Sequence, residues 1–432
     1  MTGALKVGVA GLGVVGSALL RLLERRRSAI AERLGRPLEV VGVSARRPRN
    51  LAPAFMTAKF YDDARALAAA DLDVFVELIG GADGAAYESV KAALGRGVAV
   101  VTANKAMLAS HGVELARLAE SKRVWLAYEA AVAGGVPIIK TLRESLSGNG
   151  IRRVSGILNG TCNYILSRME TERLPFEACL AEAQRLGYAE ADPTFDVGGF
   201  DTAHKLAILA ALAFGLKVDR DAVSVEGIEA ITLADLEAAE ELGYRIKLLG
   251  VAERTPHGVE QRVHPTMVPR GAPLAQTMGV LNAVTIDGDA VGALTLVGAG
   301  AGGDPTASSV AADILDVAQL PAQPVFGRKA SQLAENERVP MQRHEGGYYV
   351  RLGVVDRPGA MAAIATRMGE RKISLEAIMQ KRGGRRVAGE PIAPVVIITH
   401  ATTEASIREA LEMTLADGVV RERPQVVRIE RE

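Results

Sequence analysis

Continuous apolar runs, each closed by a glycine or a polar residue, recur through the first third of the chain. Leu5 to Ala10, Glu39 to Val43, Val74 to Ile79, Val98 to Thr102 and Val124 to Tyr128 lack the in–out alternation of a half-buried strand, so they predict parallel strands covered on both faces. Alanine-rich helical stretches separate them. This alternation predicts an α/β, Rossmann-type doubly wound sheet. From about Pro137 the pattern changes to long helices at Pro175 to Leu186 and Thr202 to Phe214 among strand-like runs, which predicts an α+β domain. Residues 321–347 carry prolines and polar side chains with little periodicity, and predict a linker. Beyond them come a strand, the turn Asp356 to Gly359, an amphipathic helix, two strands, a helix at Glu404 to Leu415 and the strand VVRIE. That order is βαββαβ.

The first strand runs into AGLGVVG and then an amphipathic helix. Gly11 permits a tight turn, Gly13 admits a pyrophosphate, and Gly16 lets the helix pack close. The backbone of Leu12, Val14 and Val15 completes a helix N-terminus able to meet phosphates. After the second strand an acidic residue would hold the ribose of NAD. The chain has Ser44, Ala45, Arg46 and Arg47 instead. Arg46 suits a 2′-phosphate, so NADP is favoured with NAD still possible; an exposed basic turn is the other reading. Ligands of doubly wound sheets bind beyond the carboxyl ends of the strands. Gly80, Thr102 and Lys105 are expected there.

The segment 187–205, GYAEADPTFDVGGFDTAHK, gathers four acidic residues before a lysine. Asp201 stands where a helix N-cap is expected, and Lys205 follows one turn later on the same face. Glu190 and Asp196 can fold back from the loop toward them. Such a group could hold a small zwitterion and move a proton, or could be a helix cap with a surface ion pair.

Composition narrows the function classes. Lys plus Arg and Asp plus Glu are both 51 among 432 residues, so no basic excess points to nucleic acid or an anionic membrane. Two cysteines, Cys162 and Cys179, are too few for a disulfide framework and suit a reducing compartment. The apolar run Ala207 to Leu216 is too short to span a bilayer, and no signal peptide is expected before the first strand. A cytoplasmic protein is expected. Cys162 reads as a small packed side chain, His204 as structural, and the other histidines show no metal spacing.

The segments AGLGVVG, ELIGG, TANKAML, YEAAVAGGVPII, GILNGTCNYIL, GYAEADPTFDVGGFDTAHKLAILA and GAGAGGDPTASSV together resemble bacterial homoserine dehydrogenase over essentially the whole chain. The resemblance implies reversible, NAD(P)-dependent interconversion of L-aspartate 4-semialdehyde and L-homoserine, on the route to threonine, isoleucine and methionine. By position it makes Lys205 the principal acid/base, Lys105 its partner across the substrate, Glu190 the ligand of the substrate amino group, with Asp196 nearby, and Asp201 the group that orients the hydroxyl. It places a monovalent cation, sodium in the family, on oxygens at Glu129, Val132, Gly134 and Val136. Gly300 and Gly302 become cofactor contacts in a loop whose helix, capped by Asp304 or Thr306, returns to the first domain. The expected division is 1–136 plus about 304–320 for the cofactor, 137–303 for substrate and dimerisation, 321–347 as linker, and 348–432 resembling an ACT domain with threonine as effector. A homodimer or homotetramer is implied. Another NADP-linked amino-acid-aldehyde dehydrogenase, or a non-catalytic NADP-binding regulator, stays open at this point.

Overall fold

The computed structural model describes residues 3–47, 55–380, 385–387 and 389–430. The outermost residues of the first and last expected domains, and the end of the second C-terminal strand at Lys381, lie outside these. β1 (Leu5–Ala10), β2 (Leu38–Ser44), β3 (Lys59–Tyr61), β4 (Val74–Glu77), β5 (Ala99–Thr102) and β6 (Leu126–Ala127) form a six-stranded sheet of order β3-β2-β1-β4-β5-β6. Every pairing is parallel. β4 and β5 are buried at every position because helices cover both faces, as their unbroken apolar sequence requires. The chain reverses its direction of travel across the sheet between β1 and β4, which opens a crevice at their ends. Register places Ala10 beside both Ser44 and Glu77, and Glu77 beside Thr102. The turns after β1, β2, β4 and β5 therefore share one rim.

The second sheet is longer than any single domain foreseen from the sequence. Its strands run in the order Gly292–Ala299, Leu281–Gly288, Ile151–Ile157, Tyr244–Thr255, Gly258–Pro269, Gln425–Ile429, Glu345–Val355, Glu390–Thr399 and Leu375–Gln380. The last four belong to the βαββαβ module. Its final strand joins the substrate domain through parallel pairs Thr266 to Arg428 and Met267 to Ile429. Buried polar contacts reinforce this seam: Arg351 and Tyr349 both reach Asp235, at 2.7 Å and 3.0 Å.

Helix Phe200–Phe214 lies against the substrate-domain sheet and is buried on almost every face, which its apolar sequence LAILAALAF permits. Helix Gly303–Gln319 returns to pack on helix Val14–Arg25: a Cβ on Gly303 would lie 3.2 Å from Val14 and 3.3 Å from Ala18. Its N-cap is Gly302 and not Asp304 or Thr306, because the turn needs the positive φ of 114° that Gly302 adopts.

Of the stretch 321–347, Glu345 to Gly347 already belong to strand Glu345–Val355, and residues 321–344 form a strap held at several points. Val325 and Phe326 are buried, Tyr128 donates to the Val325 carbonyl at 2.8 Å, and Ala330 N–H donates to the Glu120 carboxylate. Ala330 and Leu333 are buried as well, so a few apolar side chains in a largely polar segment suffice to pin it.

Candidate active site

The turn after β1 is built for close approach. Gly11 has φ 98°, and a Cβ there would sit 2.4 Å from the Leu78 carbonyl oxygen. A Cβ on Gly16 would lie 1.9 Å from the Gly11 oxygen, so the helix can pack here only with glycine. At Gly13 a Cβ would meet nothing within 4 Å. Helix Val14–Arg25 starts with no side-chain cap, and its free N–H groups face that open space. Leu12 is buried, Val15 half-buried and Val14 exposed. Arg46 is exposed just beyond β2, with no ion pair among the described residues.

A network missed in the sequence shapes the β4 and β5 side of the same rim. Glu77, fully buried at the end of β4, accepts from Ile79 N–H at 2.7 Å and Gly80 N–H at 3.0 Å, and from the Thr102 hydroxyl at 2.5 Å. Asn104 takes its backbone N–H to Thr102 and its side-chain amide to the Gly81 carbonyl, then caps helix Lys105–Lys122. Thr102, expected as a cofactor contact, spends its side chain inside this network and is fully buried. Gly80 and Gly81, both with φ near 85°, present an open edge instead. The signal for Glu77 was present in ELIGG: a carboxylate at the end of a buried strand requires partners.

The two lysines meet at one carboxylate. Lys205 Nζ donates to Asp201 Oδ2 at 2.7 Å and to the Leu158 carbonyl at 2.6 Å. Lys105 Nζ lies 3.2 Å from Asp201 Oδ1. Asp201 is 5 % exposed and Lys205 9 %, while the Lys105 side chain stays 32 % exposed. Asn159, not singled out in the sequence, donates to Asp201 at 2.9 Å and to Asp196 at 2.7 Å. Burial opposes the charge of Asp201, but Lys205, Lys105 and the hydrogen bonds from Lys205 and Asn159 outweigh it and hold its carboxyl well below the usual carboxylate range. Burial pushes Asp196 up, against the Asn159 hydrogen bond.

Some expectations need correction. Asp201 is not the N-cap: that position belongs to Gly199, with φ 88°, and Asp201 sits inside the first turn where its side chain is free to bridge. Glu190 is not drawn into the cluster. Its side chain is exposed with no polar partner among the described residues, because its loop is held by main-chain contacts, the Glu190 carbonyl accepting from Gln184 at 3.0 Å. Cys162 is fully buried and donates to the Asp196 carbonyl; burial pushes its thiol well up. His204 is half-buried with its ring 5.3 Å from that of Phe195.

At the turn after β6, Ala133 and Gly134 take φ 54° and 47°. The Gly134 carbonyl accepts from Ser309 at 2.7 Å and that of Val136 from Ile138 N–H at 2.8 Å. Both carboxylate oxygens of Glu129 accept backbone N–H groups of Ile139 and Lys140 at 2.8 Å. The loop ending in Gly300 and Gly302 lies directly behind. Gly300 is required by Asn282, whose Cγ would lie 1.9 Å from a Cβ, so its smallness serves packing.

An open dinucleotide cradle that ends beside paired ammonium groups is the arrangement of a nicotinamide-linked oxidoreductase. Comparison with known proteins carries this further. Residues 137–315 match the family model for homoserine dehydrogenase, residues 11–129 that for homoserine dehydrogenase, NAD binding domain, and residues 348–412 that for the ACT domain. The homoserine dehydrogenase of Pseudomonas aeruginosa is 46% identical over 94% of each chain, and that of Helicobacter pylori 39% identical over 99% of each. A solved homoserine dehydrogenase from Thiobacillus denitrificans superposes with a TM-score of 0.91 at 41% identity, over 100% of this chain and 99% of that one. A hyperthermophilic archaeal homoserine dehydrogenase in complex with NADPH reaches 0.63 at 25% identity, over 74% of this chain and 99% of that one. The chain belongs to the homoserine dehydrogenase family. Its activity is that of a homoserine dehydrogenase, with a nicotinamide cofactor. No helix among the described residues is long and apolar enough to cross a membrane.

Proposed function

We propose that Lys205 is the proton donor and acceptor of this reaction and Lys105 its electrostatic partner. The observation that carries this is the sharing of Asp201: two ammonium groups on one carboxylate leave a positive charge beside the crevice. When bound, the reduced nicotinamide supplies hydride to the aldehyde carbon of L-aspartate 4-semialdehyde. The aldehyde oxygen then gains negative charge, which Lys105 stabilises while Lys205 donates the proton that completes L-homoserine. In the reverse direction Lys205 accepts the hydroxyl proton. Asp201 and Asn159 fix the Lys205 ammonium, and the Leu158 carbonyl takes a second of its protons. Glu190 and Asp196 are the acidic groups offered to the substrate ammonium; the exposed carboxylate of Glu190, with no polar partner among the described residues, supports that role.

Gly11, Leu12, Gly13, Val14, Val15, Gly16 and Gly80 cradle the dinucleotide, Thr102 acts through its floor, and Gly300 and Gly302 close behind. NADP is preferred over NAD, supported by exposed Arg46 beyond β2. A monovalent cation, sodium for preference, is held structurally by oxygens at Glu129, Val132, Gly134 and Val136, supported by the gathering of these oxygens at one turn with positive φ at Ala133 and Gly134. The cofactor domain takes 1–136 and about 304–320, the substrate domain 137–303, and the C-terminal module 348–432 carries feedback control by threonine. The enzyme works in the cytoplasm as a homodimer or homotetramer. Strand Gly292–Ala299 supports the assembly, since it ends the large sheet with one neighbour and leaves Val297 half exposed.

The test is direct. Purified protein is mixed with aspartate semialdehyde and each reduced nicotinamide, and absorbance is followed with and without threonine. Turnover with NADPH exceeding that with NADH supports the assignment; absence of turnover with both overturns it.

A further inference from the structure

Two lysines beside an aldehyde can act in either of two ways. As ammonium groups they stabilise and protonate its oxygen, whereas an unprotonated amine adds to its carbon. We propose that Asp201 is the group that keeps Lys105 from condensing with the aldehyde substrate, so that removing its charge turns Lys105 into a site of covalent capture. This deepens the reading above and rests on it for the identity of the aldehyde.

The geometry singles out Lys105. Lys205 is 9 % exposed and gives one N–H to Asp201 Oδ2 at 2.7 Å and another to the Leu158 carbonyl at 2.6 Å. Lys105 opens helix Lys105–Lys122, its side chain is 32 % exposed, and its one polar partner among the described residues is Asp201 Oδ1 at 3.2 Å. It has the access needed to reach a carbonyl carbon and a single contact restraining it. Asp201 is fixed by comparison: it is buried in the first turn of helix Phe200–Phe214 and accepts from Asn159 at 2.9 Å. Burial opposes its charge, yet Lys205 and Lys105 keep it ionised.

Condensation starts from the lone pair of Nζ. An ammonium has none, and both amines meet the carboxylate of Asp201 as ammonium groups. With asparagine at this position the two cations lose the counter-charge they share. Like charges close together favour release of a proton from one of them, and a lysine beside a second cation is a known way to activate an amine for imine formation. Lys205 keeps the Leu158 carbonyl; Lys105 is left with no polar partner and is the one to yield. Its proton goes to solvent, Nζ bonds to the aldehyde carbon, and the aldehyde oxygen leaves as water, which gives the imine. A group held against a carbonyl acts at an effective molarity of about 10⁵ M or more, so a small unprotonated fraction in the site outcompetes any surface lysine.

The experiment uses the full chain with oxidised NADP, which has no hydride to give, and L-aspartate 4-semialdehyde as probe. Cyanoborohydride delivers hydride to the imine and fixes it as a secondary amine, which peptide mass spectrometry locates as the added mass of the aldehyde less one oxygen. In wild type Lys105 should be labelled no more than Lys59 and Lys122, which are exposed and have no ion pair among the described residues. Asp201→Asn should raise labelling at Lys105 by about tenfold or more, and L-homoserine should suppress it there while leaving Lys59 unchanged. Asp201→Glu, which keeps a carboxylate, should stay at the wild-type level. Where the asparagine variant no longer binds NADPH, Asp201→Ala carries the same prediction. Wild-type labelling of Lys105 above that of Lys59 and Lys122 overturns the proposal, as does a folded Asp201→Asn variant that gains no label at Lys105. Should wild type fail to turn over the aldehyde with either reduced nicotinamide, the proposed reaction falls, while the map of labelled lysines still decides whether Asp201 shields Lys105.

Discussion

Lys105 and Asp201 form a 3.2 Å ion pair across the boundary between the nucleotide and substrate domains. One residue opens helix Lys105–Lys122 at the rim of the parallel sheet, and the other lies in the first turn of helix Phe200–Phe214. The second oxygen of Asp201 accepts from Lys205. The charge around this carboxylate is thus assembled from both domains, and each partner can be removed separately.

Lys205→Ala should lower kcat for homoserine oxidation by about 10³-fold, within the range of a lost general acid–base. Asp201 keeps Lys105 as its partner, so NADPH affinity, measured by fluorescence titration, should change little. Turnover near wild type would remove Lys205 from the mechanism.

Asn159 has two tasks that substitution can separate. Its Oδ1 caps helix Gly160–Glu172 by accepting from Cys162 N–H at 2.8 Å, and its amide joins Asp196 to Asp201. Asn159→Ser keeps a cap acceptor and loses the bridge, so Tm should hold while kcat falls by about tenfold or more. Asn159→Ala should lose both, with about 1 kcal/mol of stability gone from the cap alone. Equal kcat in wild type and the serine variant would show that the bridge is idle.

Arg46→Ala should raise KM for NADPH by about tenfold or more and leave KM for NADH unchanged, because only the former carries a 2′-phosphate. Parallel changes for both cofactors would place Arg46 outside the discriminating contact.

Lys247 predicts a pH signature unconnected with catalysis. It is 1 % exposed and donates to Asn163 and the Thr277 carbonyl. Burial, aided by Arg245 and opposed by Glu170, draws its pKa down to about 7. Between that value and the ordinary lysine value of about 10.4 the unfolded chain holds a proton that the folded chain has released. Stability from this group therefore rises with pH across that window, and its burial cost is fully present below about pH 7. Lys247→Met should flatten the rise in Tm between neutral and alkaline pH. A wild-type slope retained in the variant would contradict the assignment.

Glu77→Gln should raise KM for both nicotinamides by a few-fold or more. An amide cannot accept from Thr102 while also serving Ile79 and Gly80 as the carboxylate does. Thermal melts separate a local loosening of the glycine rim from a general loss of fold.

The sequence by itself determined the features that depend on local order. Unbroken apolar runs specified the parallel strands, AGLGVVG specified the turn, and the spacing of Asp201 and Lys205 put carboxylate and ammonium on one helical face. Each follows from backbone geometry over a few residues. Only the tertiary structure decided which distant groups share a carboxylate. It brought Lys105 to Asp201, made Asn159 a bridge, left Glu190 outside, tied Thr102 to Glu77, and fused the C-terminal strand to the substrate sheet. These depend on which buried polar groups find partners, and that is settled when the domains pack and water is excluded, not along the chain.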